Sequence, residues 1–224
     1  MDEEEVLANG SQLYNYKSWM QPSDLKIKSL WEWHSPEDTP LRISVSGAAG
    51  TGKRKLAKTL ARRLDITDIT GIPRTMKDLG AQLSKSADME DEFMMFLAQV
   101  WEEREYDEFV TAGSLIDLVA HMDYLAQQSG DQKHKRLVDG MANVVNMLSN
   151  NTYSVLFYLP FRNKPKADGV RSVDVRYLRE IDRLIHFYLD AFDLDYLPLD
   201  GTPSENAKTA LRYMEDFDLL SDRD

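Results

Sequence analysis

The stretch "GAAGTGKRK", Gly47-Ala48-Ala49-Gly50-Thr51-Gly52-Lys53-Arg54-Lys55, decides the fold. It follows the β-branched run "RISVS" at 42–46 and leads into "KRKLAKTLARRLDI" at 53–66, where Leu56, Leu60 and Leu64 recur at helical spacing. A glycine-rich turn between a strand and a helix lets backbone N–H groups converge on phosphate oxygens. The helix adds its positive N-terminal end, and Lys53 reaches the terminal phosphates. The stretch matches GxxxxGK in full and departs only at the next position. There Arg54 stands where Ser or Thr would offer a hydroxyl to Mg²⁺, and a guanidinium has no lone pair to replace it. Three readings follow: magnesium is held through water and carboxylates elsewhere, Arg54 itself compensates phosphate charge, or a nucleotide is bound without being turned over.

The chain has 224 residues, 42% of them hydrophobic, enough to bury one substantial core. It has no cysteine, which excludes disulfides and thiolate metal sites and fits a reducing, cytoplasmic setting. The opening "MDEEEVLANG" is acidic rather than basic-then-apolar, and no apolar run approaches the ~18 residues of a membrane span, so a soluble, unexported protein is expected. The net charge of -11 is concentrated at the ends. Residues 1–40 carry eight Asp/Glu against three Lys, and residues 215–224 carry five against one Arg. Residues 41–214 are nearly neutral, so the overall charge argues against broad nucleic-acid binding but leaves room for a basic pocket.

Before Pro40, turn-forming clusters ("NGSQ", "QPSD", "HSPEDTP") alternate with Tyr14, Tyr16, Trp19, Trp31 and Trp33. Two readings compete for this extension: rings packed on the domain, or a base-stacking surface beside Lys26 and Lys28. From residue 42 strands and helices alternate. Candidate strands after "RISVS" are "DITGIP" (68–73), "YDEFVTA" (106–112), "TYSVLFYLP" (152–160) and "LDYLPL" (194–199). Between them lie helical segments including 114–128, 134–149 and 174–192. Apolar strands separated by amphipathic helices predict a parallel sheet covered on both faces.

The order of five segments resembles the small P-loop nucleoside and nucleotide kinases, especially the AAA-like kinase group that includes nicotinamide-riboside-kinase-like and phage-encoded nucleotide kinases. The segments are "ISVSGAAGTGK", "GIPRTMKDLG", "FVTAGSLIDLVAH", "DGVRSVDVRYLREIDRLI" and "LDGTPSENAKTAL", and the resemblance covers roughly 42–214. It implies ATP and Mg²⁺ as cofactors, with Gly47 to Arg54 on the phosphates. In "GIPRTMKDLG" it implies an acceptor-binding role for Arg74, which by residue chemistry equally suits a pair with Asp78. It also implies a lid at about 160–180, where Arg162, Lys164, Lys166, Arg171, Arg176 and Arg179 stand against three acids. Arg171, in "DGVRS", is the aligned lid cation, and Arg162 a candidate substrate contact. A mobile cationic lid excludes water and stabilises charge spread over a transferred phosphoryl group.

The resemblance breaks a second time at Ala112-Gly113, where related kinases commonly have an acid followed by Arg. Asp117, one helical turn beyond, and Asp107, at the start of the strand, are the carboxylates available in its place. For Asp117 the alternatives are catalysis or a bridge on its own helix. At the end of the chain "DGTPSE" makes Thr202 and Pro203 candidate base contacts, although Pro203-Ser204-Glu205 also reads as an ordinary helix start. His34, His121, His134 and His186 lack metal-ligand spacing, and the metal ligands are left open.

These readings combine into a three-layer α/β P-loop NTPase fold with a five-stranded parallel sheet. An acidic, aromatic-rich extension (1–40) precedes the domain (41–214), and an acidic tail (215–224) follows. The expected activity is ATP-dependent phosphoryl transfer to a nucleoside- or nucleotide-type acceptor, with Lys53, Arg171 and Asp117 as catalytic candidates and Arg74 and Arg162 on the substrate. Two rivals are a phage-type kinase of a modified base or end within DNA, and a catalytically silent nucleotide-binding module. The expected partner is a nucleoside-type small molecule or nucleic acid, with no membrane.

Overall fold

The computed structural model describes residues 40–162 and 172–220. The extension before Pro40, together with Lys164, Lys166 and Arg171 of the lid, lies outside the described residues. The elements run β1 (Arg42–Ser46), α1 (Lys53–Leu64), β2 (Thr67–Ile69), α2 (Ile72–Asp78), α3 (Met89–Glu105), β3 (Phe109–Ala112) and α4 (Leu115–Ser129). They continue with α5 (Gln132–Thr152), β4 (Val155–Tyr158), α6 (Val175–Ala191), β5 (Leu197–Pro198) and α7 (Pro203–Asp216).

All strand pairs are parallel, in the order β2-β3-β1-β4-β5. Period-two alternation sends the strand side chains to two cores. Ile43, Val45, Val110, Val155 and Phe157 join Leu56, Leu60, Ala210 and Met214 from α1 and α7. Phe109, Leu156 and Tyr158 face the opposite way and pack with residues of α2 to α6, among them Ile116, Val119, Leu178 and Ile185. The result is the expected three-layer arrangement. Side chains such as Phe157 and Leu60, at 0% exposure, each contribute about 1.5–3 kcal/mol by leaving water.

Local chemistry explains the helix starts. Ser114, Asp174 and Thr202 cap α4, α6 and α7, each accepting from backbone N–H groups of the first turn. One expectation needs correction. The run "DITGIP" is strand only as far as Ile69, because Pro73 sits in the first turn of α2, where its fixed φ and missing N–H are favourable. The last helix runs to Asp216, and Leu219 and Leu220 pack on the α1/α7 core. Among the described residues no helix is long and apolar enough to cross a membrane.

The chain builds β2 and β3 on one side of β1 and β4 and β5 on the other. The carboxyl end of β1 is therefore a topological switch point, where open α/β sheets form their ligand crevice. Gly47 begins at that point.

Candidate active site

The loop from Gly47 to Gly52 turns directly from β1 into α1. Gly47 has φ +139°, and a Cβ there would run into the carbonyl oxygen of Leu159 at the end of β4. No other residue fits without moving β4 or the loop. Thr51 Oγ1 donates to Ala48 O at 3.0 Å, tightening the turn. The N–H groups of Ala49 through Lys53 donate to no described residue. Unpaired backbone donors gathered at a helix N-terminus form an anion cradle.

Lys53, the first residue of α1, folds back over this loop. Its Nζ donates to Gly47 O and lies 2.6 Å from Oδ2 of Asp117, with side-chain exposures of 17% and 6%. Asp117 is on the first turn of α4 and stands at the centre of a buried network. Its Oδ1 accepts from Gly47 N at 3.2 Å, from Ser114 Oγ at 3.1 Å and from Ser46 Oγ. Gly113, with φ +105°, makes the sharp exit from β3 that turns α4 toward the loop. A carboxylate thus stands beside Lys53 although β3 ends at Ala112, with Gly113 following it.

Asp107, the other carboxylate considered, lies at the opposite edge of the sheet. It precedes β3, and its carbonyl accepts from Arg42 Nε at 2.8 Å where β1 begins. Arg54 is half-exposed on α1 and makes no hydrogen bond or ion pair with a described residue. Arg74 is exposed on α2, and no ion pair joins it to Asp78 among the described residues. Arg162, Thr202 and Pro203 line one open cavity of about 540 Å³ with Gly50, Thr51 and Asn206. Arg162 pairs with Asp200 across 2.6 Å at its wall. The structure therefore groups Arg162 with the candidate base contacts rather than with Arg74. Two hydrogen bonds brace the floor of the cavity: Thr202 N donates to Glu205 Oε2 at 2.7 Å, and Gly201 N to Asn206 Oδ1 at 2.8 Å.

Sequence reasoning missed Ser46 and Ser114 as hydroxyl partners of Asp117. The signal was present for one of them, since Ser114-x-x-Asp117 has the spacing of a helix-capping pair. The burial of Glu92 and Glu103 behind Asp117 was also missed, whereas His121 is packed on its helix. Burial, with the Lys53 charge adding to it, lowers His121 to about 4, so the imidazole is neutral at pH 7. Burial raises Glu92 to about 8 and Glu103 to about 7. Glu103 accepts from Gln99 Nε2 and Tyr153 Oη, and Tyr153 Oη accepts from Leu115 N at 3.1 Å, which ties α3 to the start of α4.

No family model matches the chain, and no curated protein sequence does. Solved structures do resemble it. Deoxyadenosine kinase from M. mycoides, with products dCMP and dCDP bound, has a TM-score of 0.57 at 14% identity, covering 79% of this chain and 100% of its own. Thymidylate kinase from Candida albicans has a TM-score of 0.59 at 12% identity, covering 80% and 93%. NadR protein in complex with NAD and AMP-PNP has a TM-score of 0.54 at 14% identity, covering 73% and 45%. At these identities the likeness is one of fold, and the fold is that of the P-loop kinases.

Proposed function

We propose that the chain is an ATP-dependent phosphotransferase acting on a nucleoside- or nucleotide-type acceptor. The observation that carries the reading is the Lys53–Asp117 pair, 2.6 Å apart at the mouth of a loop whose N–H groups from Ala49 to Lys53 donate to no described residue. In this reading the loop and Lys53 hold the ATP phosphates, and the base lies in the cavity lined by Thr202, Pro203 and Arg162. Arg74 meets the acceptor, and the lid brings Arg171 to the transferred group. Such catalysis is mostly positioning and electrostatics, so it tolerates altered side chains. Fold relatives described with dATP or with AMP-PNP bound support nucleotide use, and the AAA-like subgroup is the finer part of the proposal.

Magnesium fits the residues present. The described residues contain no group of three His, Cys, Asp or Glu able to hold a metal unaided. They offer one buried carboxylate at the loop, Asp117, surrounded by hydroxyls. That donor set suits a hard cation that keeps several waters and takes other ligands from phosphate oxygens. Asp117 would hold the ion, which when bound would neutralise charge on the transferred group. The chain's own part is to orient Asp117 through Ser46, Ser114 and Gly47 N.

A second reading, the silent nucleotide-binding module, is favoured by Arg54 and by Ala112-Gly113, the two departures from the kinase pattern. The experiment that separates the two is transfer of labelled γ-phosphoryl from ATP to nucleosides, nucleotides and oligonucleotides, with a magnesium titration. Product with a nucleoside or nucleotide supports the proposal, and product only with oligonucleotides selects the DNA-kinase alternative. Tight ATP binding without product selects the silent module.

A further inference from the structure

A second polar network ties α3 to the turn that starts α4. Gln99 and Glu103 stand one turn apart on α3 and are 6% and 4% exposed. Gln99 Nε2 donates to Glu103 Oε1 and, at 2.8 Å, to Thr111 Oγ1 on β3. Thr111 Oγ1 lies 2.9 Å from Gly113 O and 3.2 Å from Ile69 O. Between α5 and β4, Tyr153 Oη donates to Glu103 Oε1 at 2.9 Å and accepts from Leu115 N at 3.1 Å. None of these four side chains is among those assigned to ATP or the acceptor.

Covalent chemistry fixes the directions. A backbone N–H can only donate, so Tyr153 Oη accepts from Leu115 and turns its own hydrogen toward Glu103. Glu103 Oε1 is an acceptor in either charge state of the carboxyl. One Gln99 N–H meets that oxygen and the other meets Thr111, whose hydroxyl then donates to a backbone carbonyl, the nearer being Gly113 O. Both arms therefore end on the turn from Gly113 to Leu115. Gly113 O is held through Thr111, and Leu115 N, one of the donors that a helix start leaves open, is held through Tyr153. A fully satisfied buried network specifies one arrangement, which apolar side chains of the same shape would pack without fixing.

We propose that Tyr153, Glu103, Gln99 and Thr111 are positioning residues that fix the turn from β3 into α4 and through it hold Asp117 against Gly47 and Lys53. The route is short. Beside the Leu115 N–H held by Tyr153, Ser114 Oγ accepts from Asp117 N and donates to Asp117 Oδ1, each at 3.1 Å. Asp117 Oδ1 in turn accepts from Gly47 N at 3.2 Å, and Oδ2 meets Lys53 Nζ at 2.6 Å. The end of β3 has no acid of its own, so the carboxylate is delivered by α4, and its distance from Lys53 depends on how that helix begins. Positioning of Asp117 needs no reaction to be observed; its effect on turnover rests on the phosphotransferase reading.

The test compares full-length wild type with Y153F, T111V and E103Q. Amide hydrogen exchange followed by NMR reads the Gly47 and Leu115 N–H groups against Leu60 in the α1 core, and ATP affinity and phosphoryl transfer to nucleosides and nucleotides are measured in parallel. Y153F should speed exchange at both Leu115 and Gly47 by about tenfold or more relative to Leu60, although Gly47 belongs to the loop after β1 and Tyr153 to the start of β4. T111V should do the same at Gly47, which keeps the comparison decisive if Y153F does not fold. E103Q keeps an acceptor for the Tyr153 hydroxyl and should stay within about threefold of wild type at both amides. Y153F should also lower kcat about tenfold or more and leave ATP affinity within about twofold. Gly47 exchange that moves only in step with Leu60 makes the network a packing element and overturns the proposal, as does a loss of protection in E103Q equal to that in Y153F. A wild type without transfer contradicts the phosphotransferase reading instead, and Gly47 exchange still decides the positioning.

Discussion

Lys53 Nζ lies 2.6 Å from Asp117 Oδ2, although 64 residues separate them in sequence. One residue belongs to the loop after β1 and the other to the helix after β3, and parallel pairing of those strands places both at the same edge of the sheet. The pair joins the glycine-rich loop after β1 to a carboxylate that the end of β3 lacks.

Replacing Lys53 with Ala removes the cation that covers the loop and leaves Asp117 buried without its ionic partner. ATP affinity should fall at least about tenfold, or roughly 1.4 kcal/mol. Calorimetry on both proteins checks this, and equal affinities would remove the loop from the account.

The sheet's stability should depend on β4. Phe157 is fully buried between the sheet and the α1/α7 layer. Phe157→Ala should lower the unfolding free energy by about 3–5 kcal/mol. Urea denaturation measures the loss, and a change below about 1 kcal/mol would mean that this face of the sheet is not the core.

Glu103 gives stability a pH dependence of defined sign. Burial raises it from the ordinary 4.5 to about 7, so between those values the folded chain binds the proton more strongly than the unfolded chain. Its contribution is full below about pH 4.5 and is lost as pH rises through 7. Glu103→Gln should therefore gain on wild type between pH 5 and pH 8, by an amount on the order of 1 kcal/mol or more. Chemical denaturation at four pH values reads the difference, and a pH-independent difference would contradict the burial argument.

Thr202 should matter modestly to stability. Its hydroxyl accepts from Glu205 N at the start of α7, so Thr202→Ala should cost about 0.5–2 kcal/mol. Thermal unfolding checks the size of the effect.

Much of this was legible in the sequence because it is local. The strand-loop-helix at 42–64 carries its own signals: β-branched residues, glycines and leucines four apart. Helix α3 was not singled out because its buried residues, from Met89 and Glu92 to Gln99 and Glu103, mix acids and amides with apolar side chains and blur the stripe. The choice between Asp107 and Asp117 needed the direction of β3, since one carboxylate stands at each end of it. Residue type alone does not reveal that Glu92 and Glu103 are buried, because carboxylates ordinarily mark surface.

The measurement that bears most directly on the central claim is phosphoryl transfer from ATP across a magnesium titration, for wild type, Asp117→Asn and Arg54→Thr, over a panel of nucleosides, nucleotides and oligonucleotides. Wild type should show magnesium-dependent transfer to a nucleoside or nucleotide. Arg54→Thr should change it little, and Asp117→Asn should reduce turnover by about 100-fold or more while ATP still binds. Magnesium-independent ATP binding by the wild type with no transfer to any acceptor would contradict the account and leave a loop that only holds its nucleotide.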